Sequence, residues 1–221
     1  MSNNTESAGS ENSWKTLLPA SVQLKYEVHN VNHAAEILAQ AYPEEFEEIT
    51  SALDNFWITK KDVLAAGGSE SEIPKKLSAE LYPKNWEEIK ISGDLLVRLQ
   101  RRKANVEEEI VIEDFIGGHN IDYVKNRIAV DMEWNSKDQT FDRDLYAFRT
   151  FYECNVIACA VIITRSEELN TVFKDLGIMK KYGASTTWMG KLLPRINSGR
   201  HGGCPILIIG ITPAAFTDLE I

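Results

Sequence analysis

Two short apolar runs constrain the fold of this chain more than any other feature. They are NVIACAVIIT at residues 155–164 and CPILIIGI at residues 204–211. Both are rich in β-branched residues and lack the alternation of a strand with one wet face, which is typical of central strands covered on both sides. A chain with such strands needs helices on both faces of its sheet.

The other patterns along the chain agree with an α/β class. SVQLKYEVHN at residues 21–30 alternates and predicts a strand, and residues 33–56 predict two helical pieces that meet near Pro43. Helical spacing recurs at residues 139–153 and 166–183, and a further short helix is predicted at residues 186–197. We therefore expect a mixed central β-sheet flanked by helices.

The length of 221 residues fits one domain. Residues 1–13 are small and polar and predict a disordered tail, which leaves residues 14–221 as a single domain. Within it, we expect residues 59–115 to form an irregular helical insertion. The Gly117–Gly118 pair predicts a turn that leads into the next strand.

Composition and charge exclude several classes of protein. No apolar run reaches the length of a membrane span, and no secretion signal is recognisable, so we expect a cytoplasmic protein without a membrane partner. The three cysteines lack C-x-x-C spacing, which favours reduced, buried thiols over a zinc site. The net charge of -9 argues mildly against a protein that coats nucleic acid, yet residues 174–200 hold six bases and one acid, and a local basic patch can still bind DNA in a cleft.

The stretch NRIAVDMEWNSKD at residues 126–138 carries the candidate chemistry. As a strand, it points Ile128, Val130, Met132 and Trp134 to one face and Ala129, Asp131 and Glu133 to the other. Asp122 precedes it, and a bend near residue 126 would pair the two strands antiparallel and bring Asp122 close to both acids. Clustered carboxylates repel one another, and a hard divalent cation relieves that repulsion. Spacing alone leaves open a solvent-washed strand face.

The same segment, NIDYVKNRIAVDMEWN, resembles the active-site segment of type II restriction endonucleases of the BglII/BstYI group, which belong to the PD-(D/E)xK nuclease superfamily and are related to BamHI. HAAEIL, EEFEEI, ELYPKNWEE, VIACAVIIT and GRHGGCPILIIGITP are similar to segments in the same order, so the resemblance covers most of residues 25–213. It implies a restriction-endonuclease-like core that hydrolyses phosphodiester bonds in a short palindromic site, with a GATC-containing target as one expectation.

The resemblance implies three catalytic residues, Asp122, Asp131 and Glu133, of which Asp122 and Asp131 bind metal. Asp131 stands where the group commonly has glutamate, and Glu133 stands where most of the superfamily has lysine. Mg²⁺ is the implied cofactor, with Mn²⁺ as a substitute. The number of metal ions and the group that accepts the proton stay open, as does a supporting role for Glu48.

The resemblance also implies where DNA is read. The segment after Glu133 would face the major groove, where the amide, lysine and carboxylate chemistry of its residues suits base edges. A second recognition loop would lie in YGASTTWMGK, for which helix capping is an equal alternative. The candidate DNA-binding residues are Asn135, Ser136, Lys137, Asp138, Arg143, Ser185, Thr186, Thr187 and Arg200.

A palindromic site implies a homodimer, for which helix 139–153 is a candidate interface. The implied partners are double-stranded DNA and, in function rather than contact, a cognate DNA methyltransferase in a bacterial or archaeal cell. Two other hypotheses remain at this point: a structure-specific repair or recombination nuclease, and a catalytically inactive DNA-binding protein of the same fold.

Overall fold

The computed structural model describes residues 12–65 and 71–218, so the expected tail lies almost wholly outside the described residues. A mixed sheet of six strands forms the centre, in the order β1 (Tyr26–Val31), β7 (Ile206–Ile211), β6 (Cys159–Arg165), β5 (Ile128–Met132), β4 (Val106–Lys125) and β3 (Glu87–Arg101). Strands β5, β6 and β7 run parallel, and the other neighbours pair antiparallel. The expected α/β class and mixed sheet are confirmed.

Helices cover both faces of this sheet. One face packs against α1 (Ala20–Lys25), α2 (Ala34–Ala41), α3 (Pro43–Asn55), α4 (Lys60–Leu64), α5 (Glu72–Leu81) and α7 (Asn170–Asp175). The other packs against α6 (Thr140–Glu153) and α8 (Met189–Asn197). Every residue of β6 and β7 is buried, as the two apolar runs predict. A short parallel pair, β2 (Ile58–Thr59) with β8 (Phe216–Thr217), completes the strands of the described residues.

Five expectations from the sequence are wrong. The helix expected over residues 166–183 ends at Asp175. Within residues 59–115, the described helices end at residue 84, and β3 and β4 then form a long antiparallel hairpin. Gly117 and Gly118 lie inside β4 rather than at a turn. The first half of SVQLKYEVHN is helix α1, and only its second half is strand β1. Of the three cysteines, Cys154 is exposed, while Cys159 and Cys204 are buried free thiols.

The β3–β4 hairpin extends beyond the sheet as an arm. Strand β4 pairs with β5 only at residues 123–125, whereas it pairs with β3 along most of its length. One face of the arm carries the cross-strand pairs Leu95–Ile112 and Val97–Ile110, and large apolar side chains there stay exposed, including Ile110 at 41% and Ile112 at 43%. A two-stranded ribbon with an uncovered apolar face is marginal by itself in water.

Lys25 ties helix α3 to the sheet. Its side chain is buried at the end of α1, and its Nζ donates to the backbone carbonyls of Leu53, Asp54 and Phe56 at 3.2, 2.7 and 2.8 Å. These carbonyls lie at the end of α3, where a helix leaves acceptors unpaired and favours a positive charge.

We expect Lys25→Met to destabilise the protein by about 2 kcal/mol, because the apolar replacement leaves buried carbonyls without a donor. Urea unfolding monitored by circular dichroism measures this change. The exposed Lys60→Met is the matched control and should unfold like the wild type. Equal stability of Lys25→Met and the control would contradict the capping role.

Candidate active site

Strand β5 places its side chains as the alternation predicts. Ile128 and Val130 join the core on one face of the sheet, and Ala129 joins the core on the other. Asp131 and Glu133 share the Ala129 face, yet they are only 4% and 7% exposed. The pair therefore does not lie on a solvent-washed face.

Asp122 meets this pair across the antiparallel β4–β5 ladder. The backbone N–H of Asp122 donates to Asp131 Oδ1 at 2.7 Å, and the N–H of Met132 points to Asp122 Oδ2 at 3.5 Å. The expected antiparallel pairing and the expected juxtaposition of Asp122 and Asp131 are both present. Asp131 Oδ2 is buried with no hydrogen-bond partner.

Glu133 is held from three sides. Its side chain accepts from the Thr140 hydroxyl at 3.0 Å and lies 3.5 Å from Nη2 of Arg143. Its backbone is fixed to β6, since its N–H donates to Ile163 O at 2.9 Å and its carbonyl accepts from the Thr164 hydroxyl at 3.0 Å. The carboxylate is therefore oriented before any substrate binds.

A fourth acid, Asp144, joins the cluster from helix α6, and sequence reasoning missed it. Asp144 is 2% exposed, accepts from Nε and Nη2 of Arg143 at 3.1 and 2.9 Å, and has a buried Oδ2 without a partner. The available signal was its spacing, because residue 144 lies between Phe141 and Phe148 on the buried stripe of the helix. A carboxylate within an apolar stripe indicates a functional or paired group.

The electrostatics follow from burial and crowding. Burial raises the pKa of Asp122, and the charge of Glu133 adds to the effect. Burial, with the charges of Asp122 and Asp144, raises the pKa of Asp131 well above its usual range. Burial and the charge of Glu133 raise the pKa of Asp144 to about 8. The site therefore holds more negative charge than its surroundings stabilise, which is a frequent property of active sites.

A cavity of about 470 Å³ opens onto the acids and also carries cations. Asp122, Asp131 and Glu133 line it together with Lys90 of β3, His119 of β4 and Arg143 of α6. Burial, with the charge of Arg143, lowers the pKa of His119. Sequence reasoning missed Lys90 and His119 because it assigned neither to a strand that runs beside the acids.

The acids suit a hard divalent cation by chemistry. Carboxylate oxygens are the ligands that Mg²⁺ prefers, and the unpartnered buried oxygens of Asp131 and Asp144 are available to an ion. Among residues 12–65 and 71–218, no three Asp, Glu, His or Cys side chains already stand in a complete metal-binding arrangement. The donor set fits the ion, and its final geometry needs adjustment of the side chains.

The two segments expected to read DNA lie side by side. The N–H of Asp138 donates to Ser185 O at 3.0 Å, the N–H of Thr187 donates to Ser136 O at 2.9 Å, and Lys137 forms a β-bridge with Thr186. Residues 135–138 and 185–187 thus form one continuous surface, which we call the paired loops. The surface begins two residues after Glu133.

The individual candidates differ in availability. Lys137 and Ser185 are exposed, whereas Asn135, with a positive φ of 59°, has a buried Oδ1 without a hydrogen-bond partner. Asp138 lies 3.7 and 3.6 Å from the charged groups of Lys191 and Arg195. Thr187 is fully buried, which argues against its expected contact with DNA.

The two candidate arginines are engaged with acids. Arg143 faces the acid cluster, and Arg200 forms an ion pair with Asp142, although more than half of each side chain is exposed. Glu48, considered as a supporting acid, instead binds Lys125 at 2.8 Å and accepts from the Trp86 indole at 2.8 Å. It does not line the cavity at the acids.

Comparison with known protein families gives one match. The family model described as "Restriction endonuclease BglII/BglIII" matches residues 26–211 of the 221 residues. No individual curated protein matches the chain significantly. Among the described residues, no helix has the length and apolar character to cross a membrane.

Proposed function

This chain belongs to the BglII/BglIII restriction endonuclease family, and from that premise we propose that it cleaves both strands of a short palindromic DNA site, one that contains GATC. The family makes it a nuclease of the type II restriction class. The observation that carries the proposal is the cluster of Asp122, Asp131, Glu133 and Asp144, of which the first three line an open cavity beside the paired loops and the last three are buried.

We propose Mg²⁺ as the cofactor, with Mn²⁺ as a substitute. Asp122 and Asp131 would hold it, with Glu133 and Asp144 next to them. When bound, such an ion supplies Lewis-acid stabilisation of phosphate charge and lowers the pKa of water. Glu133 cannot supply a positive charge, so other groups of the cavity must face the phosphate.

The chain's own residues then orient the reactants. Hydrolysis forms a bond between a water oxygen and phosphorus and breaks one phosphorus–oxygen ester bond, with a proton passing from the water to the leaving oxygen or to solvent. Glu133, fixed by Thr140 and β6, is positioned to accept a hydrogen bond from that water. Arg143 and Lys90 present positive charge to the phosphate from opposite elements, α6 and β3.

Lys90→Met should lower the cleavage rate by roughly 10- to 100-fold, because it removes an exposed cation from the cavity where negative charge develops. Single-turnover cleavage of an oligonucleotide duplex measures the effect. Lys60→Met is the control, since Lys60 is exposed and does not line this cavity, and it should cleave like the wild type. An unchanged rate for Lys90→Met would remove Lys90 from the site.

We propose that the paired loops read the bases. Their proximity to Glu133 supports base recognition and cleavage in one cleft, and amide, hydroxyl and lysine groups suit the major-groove edges of base pairs. Asn135, Ser136, Lys137 and Ser185 are the proposed base contacts, and Asp138, Thr186, Arg143 and Arg200 are proposed to support them or to contact the DNA backbone.

We propose a homodimer, in which each copy cuts one strand of the palindrome. Two uncovered surfaces support an assembly. Helix α6 exposes Tyr146 at 45% and Tyr152 at 37%, and the arm exposes one apolar face. Glu109 and Glu108 of the arm pair with Arg98 and Arg101 of the facing strand at 2.8 and 2.9 Å, so the proposed contact between copies rests on the apolar side chains of the arm and not on its charge.

Ile110→Asp should therefore convert a dimer to a monomer, because it places a charge on the apolar face of the arm opposite Val97. Light scattering across a concentration series measures the mass. Val111→Asp is the matched control on the same strand, since Val111 is 61% exposed and pairs with Leu96 on the other face, where the next pairs toward the tip, Arg98–Glu109 and Gln100–Glu107, are polar. Equal masses for Ile110→Asp and Val111→Asp would contradict a role for this face.

Digestion of a sequenced phage DNA tests the proposed function. Discrete fragments with Mg²⁺ or Mn²⁺, abolished by chelator, are expected. Cleavage without fixed fragments would indicate a structure-specific nuclease, and specific binding without cleavage in either metal would indicate an inactive relative. A host methyltransferase that modifies the same site is expected to protect the DNA.

A further inference from the structure

Arg165 is a buried cation at the end of β6 with an unusual set of partners. It is 1% exposed, and the hydrogen bonds it donates go to carbonyl, amide and hydroxyl oxygens of the described residues rather than to carboxylates. A buried guanidinium is costly unless its donors are satisfied.

The donors of Arg165 reach residues 182–187 and Asn170 at the start of α7. Nε donates to Thr187 O at 2.8 Å, and Nη2 donates to the hydroxyl of Thr186 and to Tyr182 O, the latter at 3.4 Å. Nη1 reaches Asn170 Oδ1 at 3.4 Å. The guanidinium also lies 5.7 and 5.6 Å from the rings of Phe173 and Tyr182, which stack on each other. These contacts fix residues 182–187, which include the second of the paired loops.

The same end of β6 also fixes the catalytic strand. Ile163 and Thr164 bind the backbone of Glu133, and the next residue, Arg165, binds Thr186 and Thr187. Three consecutive residues thus hold an acid of the proposed reaction and a loop of the proposed base-reading surface. The distance between the two is set by this short segment of one buried strand.

We infer that Arg165 is a positioning residue for sequence selectivity: it holds the base-reading loop at a fixed offset from the acids without touching DNA itself. The inference rests on the proposed function and deepens it. A loop that shifts by a fraction of an ångström loses the alignment of its hydrogen bonds with base edges before it affects the acids, since β4, β5 and α6 carry the acids and Arg165 bonds to none of them. Selectivity is therefore more sensitive to Arg165 than the chemical step is.

The test compares Arg165→Lys and Arg165→Met with Lys25→Met. Lys25 is also a buried cation bonded to backbone carbonyls, but its partners lie at the end of α3, away from the paired loops. For each variant, kcat/KM is measured on a duplex with the preferred site and on duplexes with one altered base pair. The selectivity ratio is kcat/KM on the preferred site divided by kcat/KM on an altered site. We expect this ratio to fall about tenfold or more in both Arg165 variants, while Lys25→Met keeps the wild-type ratio despite its lower Tm.

A second measurement does not depend on cleavage. Hydrogen exchange of the folded protein reports the amides of residues 182–188, and we expect faster exchange there in Arg165→Lys but not in Lys25→Met. If Arg165→Met does not fold, Arg165→Lys and Asn170→Ala carry the same comparison. A wild-type selectivity ratio together with wild-type exchange in Arg165→Lys overturns the inference. Failure of the wild type to cleave any DNA would instead overturn the proposed function, and the exchange result would still decide whether Arg165 holds the loop.

Discussion

Asp131→Asn is expected to abolish cleavage and to make the protein more stable. The substitution removes a carboxylate proposed to hold the cation, and several kcal/mol of transition-state stabilisation at such a site correspond to at least about a thousandfold in rate. It also removes a buried carboxyl whose ionisation is opposed by burial and by the charges of Asp122, Asp144 and Glu133. The neutral amide keeps the acceptor for the N–H of Asp122. We therefore expect the metal-free variant to gain about 1 kcal/mol in free energy of unfolding, which corresponds to a rise in Tm of roughly 2–4 °C.

Loss of activity together with a gain in stability is expected for a residue that serves function, since functional sites often keep unfavourable buried groups at the cost of stability. Asp175→Asn is the control, because it makes the same chemical change at an exposed position of α7. It should leave both cleavage and Tm unchanged. Cleavage by Asp131→Asn at a rate near that of the wild type would rule out the proposed site, and a lower Tm would show that Asp131 stabilises the fold.

The metal-free protein is expected to lose stability as the pH rises from about 5 to 8. The pKa values of Asp122, Asp131 and Asp144 are raised in the folded protein, that of Asp144 to about 8. The folded state therefore binds more protons than the unfolded state in this window, and stability falls by about 1.4 kcal/mol per pH unit for each additional proton held. Because the acids interact, the cluster titrates as a unit.

Asp144→Asn should flatten this dependence by about one proton, measured by urea unfolding in chelator at several pH values. Asp142→Asn is the control on the same helix. Hydrogen bonds from Arg195 lower the pKa of Asp142 below that of an ordinary carboxyl. The stability that ionised Asp142 contributes is therefore lost only at a pH below the pKa of an ordinary carboxyl. It should not change the slope between pH 5 and 8. A wild-type slope in Asp144→Asn would show that Asp144 does not share the cluster's protons.

Local pattern was sufficient to predict the centre of the fold. The apolar runs at β6 and β7 identify strands covered on both faces, and the alternation at β5 places Asp131 and Glu133 on one face. The nearby Asp122 could be paired with them because only a short bend separates the two strands. These are inferences over short sequence distances, where periodicity is informative.

The arm could not be predicted because its pattern is ambiguous. KKLSAELYPKNWEEI contains a true helix, α5, and the charged residues that follow hide the strand alternation of β3 and β4. The exposed ribbon also lacks the apolar density of a core strand. Lys90 and His119 were missed for this reason, since their position beside the acids depends on the β3–β4 register.

Contacts between distant segments could not be predicted from the sequence either. Asp144 reaches Glu133 through the packing of α6, and Arg165 binds residues 182–187 through a turn. The bridge of Lys137 with Thr186 joins two segments that the resemblance proposed separately. Tertiary packing decides each of these contacts, and no local propensity encodes them.

Sequencing the ends of the fragments produced from a phage genome, with wild-type protein and Asp131→Asn side by side in Mg²⁺, tests the central claim most directly. We predict that the wild-type ends share one short palindrome, cut at the same position on both strands, and that Asp131→Asn produces no ends above background. Ends without a shared sequence, or the same ends from both proteins, would contradict the assignment of this acid cluster as the centre of a sequence-specific nuclease.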